Sequence, residues 1–411
     1  MMKIVNEFKI LEGGSITSPK GFKASGIYGG IKKAKKDVAV IMSDVPAKAA
    51  GTFTTNKVVA APVIVSRENI NNAAIQAIVI NSGNANACTG LTGLKNAWEM
   101  AEITAHNLGI NKENVIVSST GVIGVNLDMD IMREAIKTAC SVLSYSGGQD
   151  AAQAIMTTDT VNKEIAVEFE LHGKIVKIGA MAKGSGMIHP NMATMLCFVT
   201  TDVNISKEML DKSVKSIVND TFNMITVDGD TSTNDMAIVV ANGMAGNPEI
   251  CEDDETYEKF YSALYHVLET MSIKIARDGE GASKLITVII ENLPSKKDAK
   301  KAAKAVIESS LVKTAVFGQD ANWGRIMCAI GYSGIEFNES KVDIYLKSNF
   351  GCIKVAGNGE STLFDESFAM EVLKEKEITI LVDFKDGEFG ATAWGCDLTF
   401  DYIKINASYR S

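Results

Sequence analysis

The segment Lys183-Gly184-Ser185-Gly186-Met187-Ile188-His189-Pro190-Asn191-Met192-Ala193-Thr194-Met195-Leu196 interrupts what would otherwise be one long strand with two glycines, a proline and an asparagine. It ends with a hydroxyl residue, Thr194, at the head of an apolar run. A threonine hydroxyl is a weak nucleophile until a base takes its proton. The chain has only four histidines, at 106, 172, 189 and 266, and no two share a spacing such as H-x-x-x-H. One base that needs no histidine is the α-amino group of the nucleophile itself, whose ordinary pKa of about 7.7–8.0 leaves a useful neutral fraction near pH 7. Such an amine exists inside a chain only if the backbone is cut immediately before the nucleophile. A glycine- and proline-containing turn followed by Ala193-Thr194 suits that cut, because the loop can hold the scissile carbonyl under strain and the strand fixes the new terminus. The residues alone leave a second reading open, since threonine is a β-former and enters strands without any chemistry.

The common catalytic signatures are missing. No serine lies in G-x-S-x-G, and no G-x-x-x-x-G-K-[ST] occurs. Gly184-Ser185-Gly186 does not extend to G-x-G-x-x-G, because His189 holds the last position. Asp228-Gly229-Asp230-Thr231-Ser232 begins like a calcium loop but lacks Gly at the sixth position, and Val239 stands where a bidentate Glu belongs. Arg277-Asp278-Gly279-Glu280-Gly281 spaces its glycines one residue too short for the pyrophosphate loop of common N-acetyltransferases. The seven cysteines form no C-x-x-C pair, so reduced thiols of a cytoplasmic protein are expected and structural zinc is not. Glu7 and Glu12 interrupt the N-terminal apolar residues, which argues against a secretory leader. The longest apolar runs fall far short of the ~20 residues of a membrane helix.

The elements that must position these residues can be read from periodicity. The chain is 411 residues long, 46% apolar and 22% charged, ordinary globular values that lead us to expect two or more cores. A net charge of −9 argues against nucleic acid or an anionic membrane as a partner. The first thirty residues read as a loop-rich lead-in with a turn at Gly29-Gly30. Ile78-Val79-Ile80 reads as a buried strand, and helical spacing from Leu94 to Leu108 predicts a helix stopped by Gly109. Val115-Ile116-Val117 predicts another strand, and Asp128 caps a helix running to about Leu143. Alternation at Ile165, Val167, Phe169 and Leu171, then His172-Gly173, predicts a hairpin with Lys174–Met181. Helices are expected near 206–219 and 254–275, with strands near 236–241 and 285–290. The five lysines of 296–304 fall in a helical pattern, read either as a solvated face or as an anion-binding patch. Beyond Val342 come short strands and one helix near 365–374, so about 285–411 is expected to form a smaller C-terminal α/β unit. Intermixed strands and helices with a hairpin predict a layered α+β fold, not a parallel doubly wound sheet.

Eight segments stand in one order: Asn81–Asn86 (NSGNAN), Ser119–Gly124 (STGVIG), Met156–Thr160 (MTTDT), Lys183–Leu196, Asp228–Asp235 (DGDTSTND), Arg277–Ala282 (RDGEGA), Gly318–Arg325 (GQDANWGR), and Trp394–Asp397 (WGCD) with Ile405–Tyr409 (INASY). Together they closely resemble the ornithine acetyltransferase family, also called glutamate N-acetyltransferases, over essentially the whole chain. The resemblance implies the layered sandwich of sheets and helices of that self-cleaving type. It also implies autocatalytic cleavage between Ala193 and Thr194, giving an α chain of residues 1–193 and a β chain of residues 194–411 that share a core. Thr194 would then act as nucleophile and, through its freed amine, as base. It would take acetyl from N2-acetylornithine, release ornithine, and pass the acetyl to glutamate as N-acetylglutamate in a ping-pong cycle of arginine biosynthesis.

The same resemblance assigns Thr120 and Gly121 to an oxyanion hole, where composition alone would read a strand-ending turn. It assigns Thr157, Lys183, Thr194, Glu280, Asn406 and Ser411 to substrate binding. His189 falls at a variable position of the processing loop and is read as a loop residue, not a proton shuttle. No cofactor is expected. Family members differ over acetyl-CoA, which stands as an open co-substrate, and the family suggests a heterotetramer of two α and two β chains. A self-processing aminopeptidase or amidase of the same fold group is the alternative. Glu280 is read as meeting the cationic end of ornithine. Replacing it in Glu280→Gln is expected to raise KM for N-acetylornithine more than KM for glutamate in steady-state assays, and an equal change in both contradicts that assignment.

Overall fold

The computed structural model describes residues 7–71, 74–189 and 195–408. The chain divides into two compact units. The first comprises residues 1–184, 191–219 and 231–271, and the second 185–190, 220–230 and 272–411. Among the described residues each unit has its own mixed sheet, of nine strands in the first and seven in the second, with helices interleaved along the chain. This is the α+β class expected, and none of the helices described is long and apolar enough to cross a membrane. All seven cysteines are free.

The first unit is layered because its central strands are apolar on both faces. In the strand Ile75–Asn84, Ile78 and Ile80 point into one core with Ile41, Phe198 and Ile238, against the helix Gly148–Ile155. Ala77 and Val79 point into the other, with Val117 of the neighbouring strand and with Met100, Met132 and Ile136 of the helices on that side. Each of the Ile, Val, Phe and Met side chains among them contributes about 1.5–3 kcal/mol by leaving water. The strand Ile75–Asn84 pairs in parallel with Val115–Val122, and Leu196–Thr201 pairs in parallel with Met236–Ala241. The rest of the sheet is antiparallel.

Local chemistry accounts for the element ends. The helix Gly90–Leu108 stops at Gly109, whose φ of 69° is the left-handed conformation that glycine adopts without strain. Asp128 accepts hydrogen bonds from the Asp130 and Ile131 amides and so starts the helix Met129–Ser141. The hairpin of Lys163–Leu171 and Lys174–Lys183 turns on His172 and Gly173, both at positive φ, as a two-residue turn between twisted strands requires.

One expectation fails, and one element has no counterpart among those expected. The lead-in is not all loop, because Phe22–Ile27 forms a strand along Val38–Phe53. Gly26 in that strand is a close-approach glycine: a Cβ there would stand 1.9 Å from the Asp150 carbonyl oxygen. A terminal helix, Phe400–Ala407, was also not anticipated.

In the second unit the strand Leu285–Leu293 runs parallel to Glu377–Asp383 and antiparallel to Phe389–Cys396. The helix Lys296–Glu308 packs on it through Ala299, Ala302, Ala303 and Val306. Its lysines lie on the other face, where Lys296 and Lys300 pair with Asp220 at 2.6 and 2.5 Å.

Candidate active site

Two constellations, one in each unit, hold those residues singled out by sequence that are described. In the first, the strand Val115–Val122 ends in Ser119-Thr120-Gly121, and Lys183 closes the strand Lys174–Lys183. Thr120 and Lys183 are both buried, and the Lys183 Nζ donates to Thr120 Oγ1 at 3.4 Å. An ammonium can only donate, so the threonine oxygen is the acceptor and its own O–H is free to point elsewhere. A hydroxyl donor beside a buried positive charge is suited to a developing oxyanion.

Gly121 is held at φ 132° opposite Gly83 of the neighbouring strand. A Cβ at Gly121 would stand 2.3 Å from the Gly83 carbonyl carbon and 2.5 Å from the Asn84 nitrogen, so no larger residue fits without moving backbone. The ladder loses its regular register at Gly83 and Asn84.

Lys183 is supported by a residue that sequence reasoning passed over. Asp159 lies within the segment Met156–Thr160. It is buried, and it accepts from the Thr157 amide at 2.9 Å, the Gly184 amide at 2.8 Å and Lys163 Nζ at 2.6 Å. The Lys163 and Asp159 side chains are both fully buried. Burial alone would raise the Asp159 pKa, but the charges of Lys183 and Lys163 and its hydrogen bonds hold it well below the usual carboxylate range. One carboxylate thus ties together Thr157, Lys163 and the residue after Lys183. Lys32, also unforeseen, donates to the carbonyl of Met156 at 2.5 Å, and burial brings its pKa down to about 8. The signal available in sequence was an acidic residue in a run of hydroxyl residues with a lysine four positions on, but its partners across the sheet were not legible.

The segment Thr233-Asn234-Asp235 links two parts of this constellation. Asn234 Nδ2 donates to the carbonyls of Ala85 and Ser119 at 2.6 and 2.8 Å, so it is anchored one residue before Thr120. Asp235 Oδ1 accepts the Met195 amide at 3.0 Å. Ala193 and Thr194, the expected cleavage pair, lie outside the described residues, as does Ser411.

The second unit holds Glu280 and Asn406. Asn406 Nδ2 donates to Glu280 Oε2 at 2.8 Å, and Glu280 is buried. The Glu280 amide donates to the Ser185 carbonyl at 2.9 Å, and a Cβ at Gly186 would lie 2.3 Å from the Glu280 carboxyl carbon. Gly186 is therefore required for the carboxylate to occupy this position. The Met187 and Ile188 amides both donate to Asp228, whose carboxyl burial raises, and Tyr402 donates to it at 3.2 Å. His189 stands 3.4 Å from Glu308 without hydrogen-bond geometry, and burial lowers its pKa.

Comparison with known proteins adds an independent line. Residues 23–411 match the ArgJ family. The chain is 57% identical over 398 residues to the arginine biosynthesis bifunctional protein ArgJ of Caldanaerobacter subterraneus subsp. tengcongensis, covering 97% of this chain and 99% of that protein. It is 48% identical over 412 residues to the protein of the same name from Bacillus cereus, covering both completely. Among solved structures, the arginine biosynthesis bifunctional protein argJ of Bacillus halodurans is 44% identical, with a TM-score of 0.43 over 45% of this chain and 97% of that one.

The Asp159 cluster makes a testable demand. Its carboxyl is depressed below the unfolded value of 3.8, so it favours the folded state above that pH and loses this contribution as pH falls through the folded value. Asp159→Asn leaves Lys163 buried beside a neutral group, at a cost of about 3–5 kcal/mol. The variant is expected to be less stable at pH 7, to lose less further stability than wild type below about pH 4, and to have a lower kcat. Urea midpoints from pH 7 to 3 check this; unchanged midpoints and kcat contradict it.

Proposed function

This chain belongs to the ArgJ family, and on that premise we propose that it is a glutamate N-acetyltransferase of arginine biosynthesis that carries acetyl from N2-acetylornithine to glutamate on the hydroxyl of Thr194. The observation that carries the mechanism is the buried Lys183–Thr120 contact beside Gly121, which leaves a hydroxyl donor and a positive charge at one strand end. Thr194 Oγ attacks the acetyl carbonyl, and its proton passes to the Thr194 amine. The Thr120 hydroxyl and the Gly121 amide stabilise the oxyanion. The C–N bond breaks, ornithine leaves with the proton, and an acetyl ester stays on the enzyme. The glutamate amine then attacks that ester, the acyl C–O bond breaks, the proton lost by the amine returns to Thr194 Oγ, and N-acetylglutamate leaves, so an amide is remade from an ester without a nucleotide.

In this reading Thr157, Lys183, Glu280, Asn406 and Ser411 bind the substrates. Lys183 suits a carboxylate or an oxyanion. Cleavage at Ala193–Thr194 frees the amine, and the resulting chains assemble as two α and two β in the cytoplasm. The relatives named bifunctional support a second donor, and acetyl-CoA would charge the same threonine. No resident cofactor is invoked. The aminopeptidase or amidase alternative is not favoured, since relatives sharing about half their residues over the whole length carry the biosynthetic name.

Separate incubation with N-acetylornithine and with acetyl-CoA tests the proposal. Intact mass should show one acetyl group gained on the chain that begins at Thr194, and glutamate should remove it as N-acetylglutamate. No gain from N-acetylornithine, or loss of the acetyl to water at a rate indifferent to glutamate, contradicts it.

A further inference from the structure

The terminal helix Phe400–Ala407 needs something to hold it. A helix this short is marginal by itself, and none of its residues is buried. Its N-cap, Thr399, donates to the Gly281 carbonyl at 2.6 Å, and a Cβ at Gly281 would stand 2.5 Å from the Tyr402 nitrogen. The first turn therefore lies against the backbone that follows Glu280. Tyr402 and Asn406 are four positions apart and share one face of the helix. Tyr402 donates to Asp228, and Asn406 donates to Glu280. The same Asn406 amide nitrogen donates to the Tyr402 carbonyl at 3.1 Å, so the placing of Tyr402 decides where that amide sits.

Asp228 joins this helix to the loop that backs Glu280. Its Oδ1 accepts the Ile188 amide at 2.9 Å and the Asp230 amide at 3.2 Å. Its Oδ2 accepts the Met187 amide at 2.7 Å and the Tyr402 hydroxyl at 3.2 Å. A carboxylate has about four acceptor positions, so this one is saturated. Met187 stands at φ 56°, a left-handed conformation that is strained for a residue with a side chain. Its side chain is exposed, so packing does not impose that conformation. The bond to Asp228 does, together with the anchoring of Ile188, whose carbonyl accepts the Val227 amide at 2.8 Å and the Thr226 hydroxyl at 3.0 Å. The preceding residue is Gly186, whose missing Cβ leaves room for the Glu280 carboxylate. All these groups belong to the second unit.

We propose that Asp228 and Tyr402 are positioning residues for the cationic end of the substrate: one carboxylate docks both the loop 185–188 and the terminal helix, and so sets Gly186 and Asn406 around Glu280. The proposal rests on the reading of Glu280 given above. Asp228 and Tyr402 act on substrate only through Glu280 and Asn406. Their loss alters the binding of the substrate that carries a second amine and leaves acyl transfer itself in place.

Steady-state kinetics of Tyr402→Phe, which keeps the ring and loses only the hydroxyl, test the assignment. KM for N-acetylornithine should rise on the order of tenfold, more than KM for glutamate, with kcat nearly unchanged. Asp228→Asn leaves a single accepting oxygen for the donors that now share two, and should show the same bias. General damage to the fold would instead lower kcat and raise both KM values together, and that result, or an unchanged KM for N-acetylornithine, overturns the proposal. In a Glu280→Gln background the Tyr402→Phe change should add little, because both act at one carboxylate; effects that multiply overturn it as well. If Glu280→Gln alone moves the two KM values equally or not at all, it is the reading of Glu280 that fails, and the positioning role falls with it.

Discussion

A carboxylate sealed from water must be neutralised by whatever touches it, and Asp159 imposes that condition on the first unit's site. Its partners are Lys163, the Thr157 and Gly184 amides and the nearby charge of Lys183. Removing any one of these partners leaves charge or hydrogen-bonding capacity uncompensated in a low-dielectric interior. The cluster therefore does more than add stability. It fixes the end of the strand Lys174–Lys183, and with it the ammonium that donates to Thr120.

Two further constraints set the geometry around that contact. Gly83 and Gly121 allow neighbouring strands to approach where a Cβ would collide with backbone, and their irregular register shapes the end of the strand that carries Thr120. Asn234 and Asp235, consecutive residues on one lead-in, hold Ser119 and Met195 respectively. The neighbours in sequence of the proposed oxyanion donor and nucleophile are thus tied to a single stretch of backbone. Acyl transfer depends on such preorganised spacing more than on any one strong group.

Much of this was legible in the sequence, for physical reasons that differ by element. The helix Gly90–Leu108 has an apolar stripe and a glycine stop, and the strand Met236–Ala241 is a continuous apolar run, so periodicity alone locates both. The strand Phe22–Ile27 was hidden because only Phe22, Ala24 and Ile27 are apolar in it, and Gly26 is there for close contact with the Asp150 backbone. The helix Phe400–Ala407 was hidden because Phe400, Ile403 and Ile405 are exposed, so it buries no apolar stripe. At the site, Thr120, Gly121 and Lys183 were reached through resemblance, whereas Asp159 and Asp235 went unassigned. Their distant partners, Gly184 and Met195, lie 25 and 40 positions away, which no local pattern encodes.

The central claim is that the Thr120 hydroxyl, with its oxygen occupied by Lys183, donates to the oxyanion of acetyl transfer. Steady-state kinetics of Thr120→Val and Thr120→Ser on the cleaved enzyme test it most directly. The valine variant keeps the shape and loses the donor, so kcat should fall on the order of a hundredfold with KM nearly unchanged, while serine restores most of the rate. A valine variant that turns over at the wild-type kcat would contradict the account.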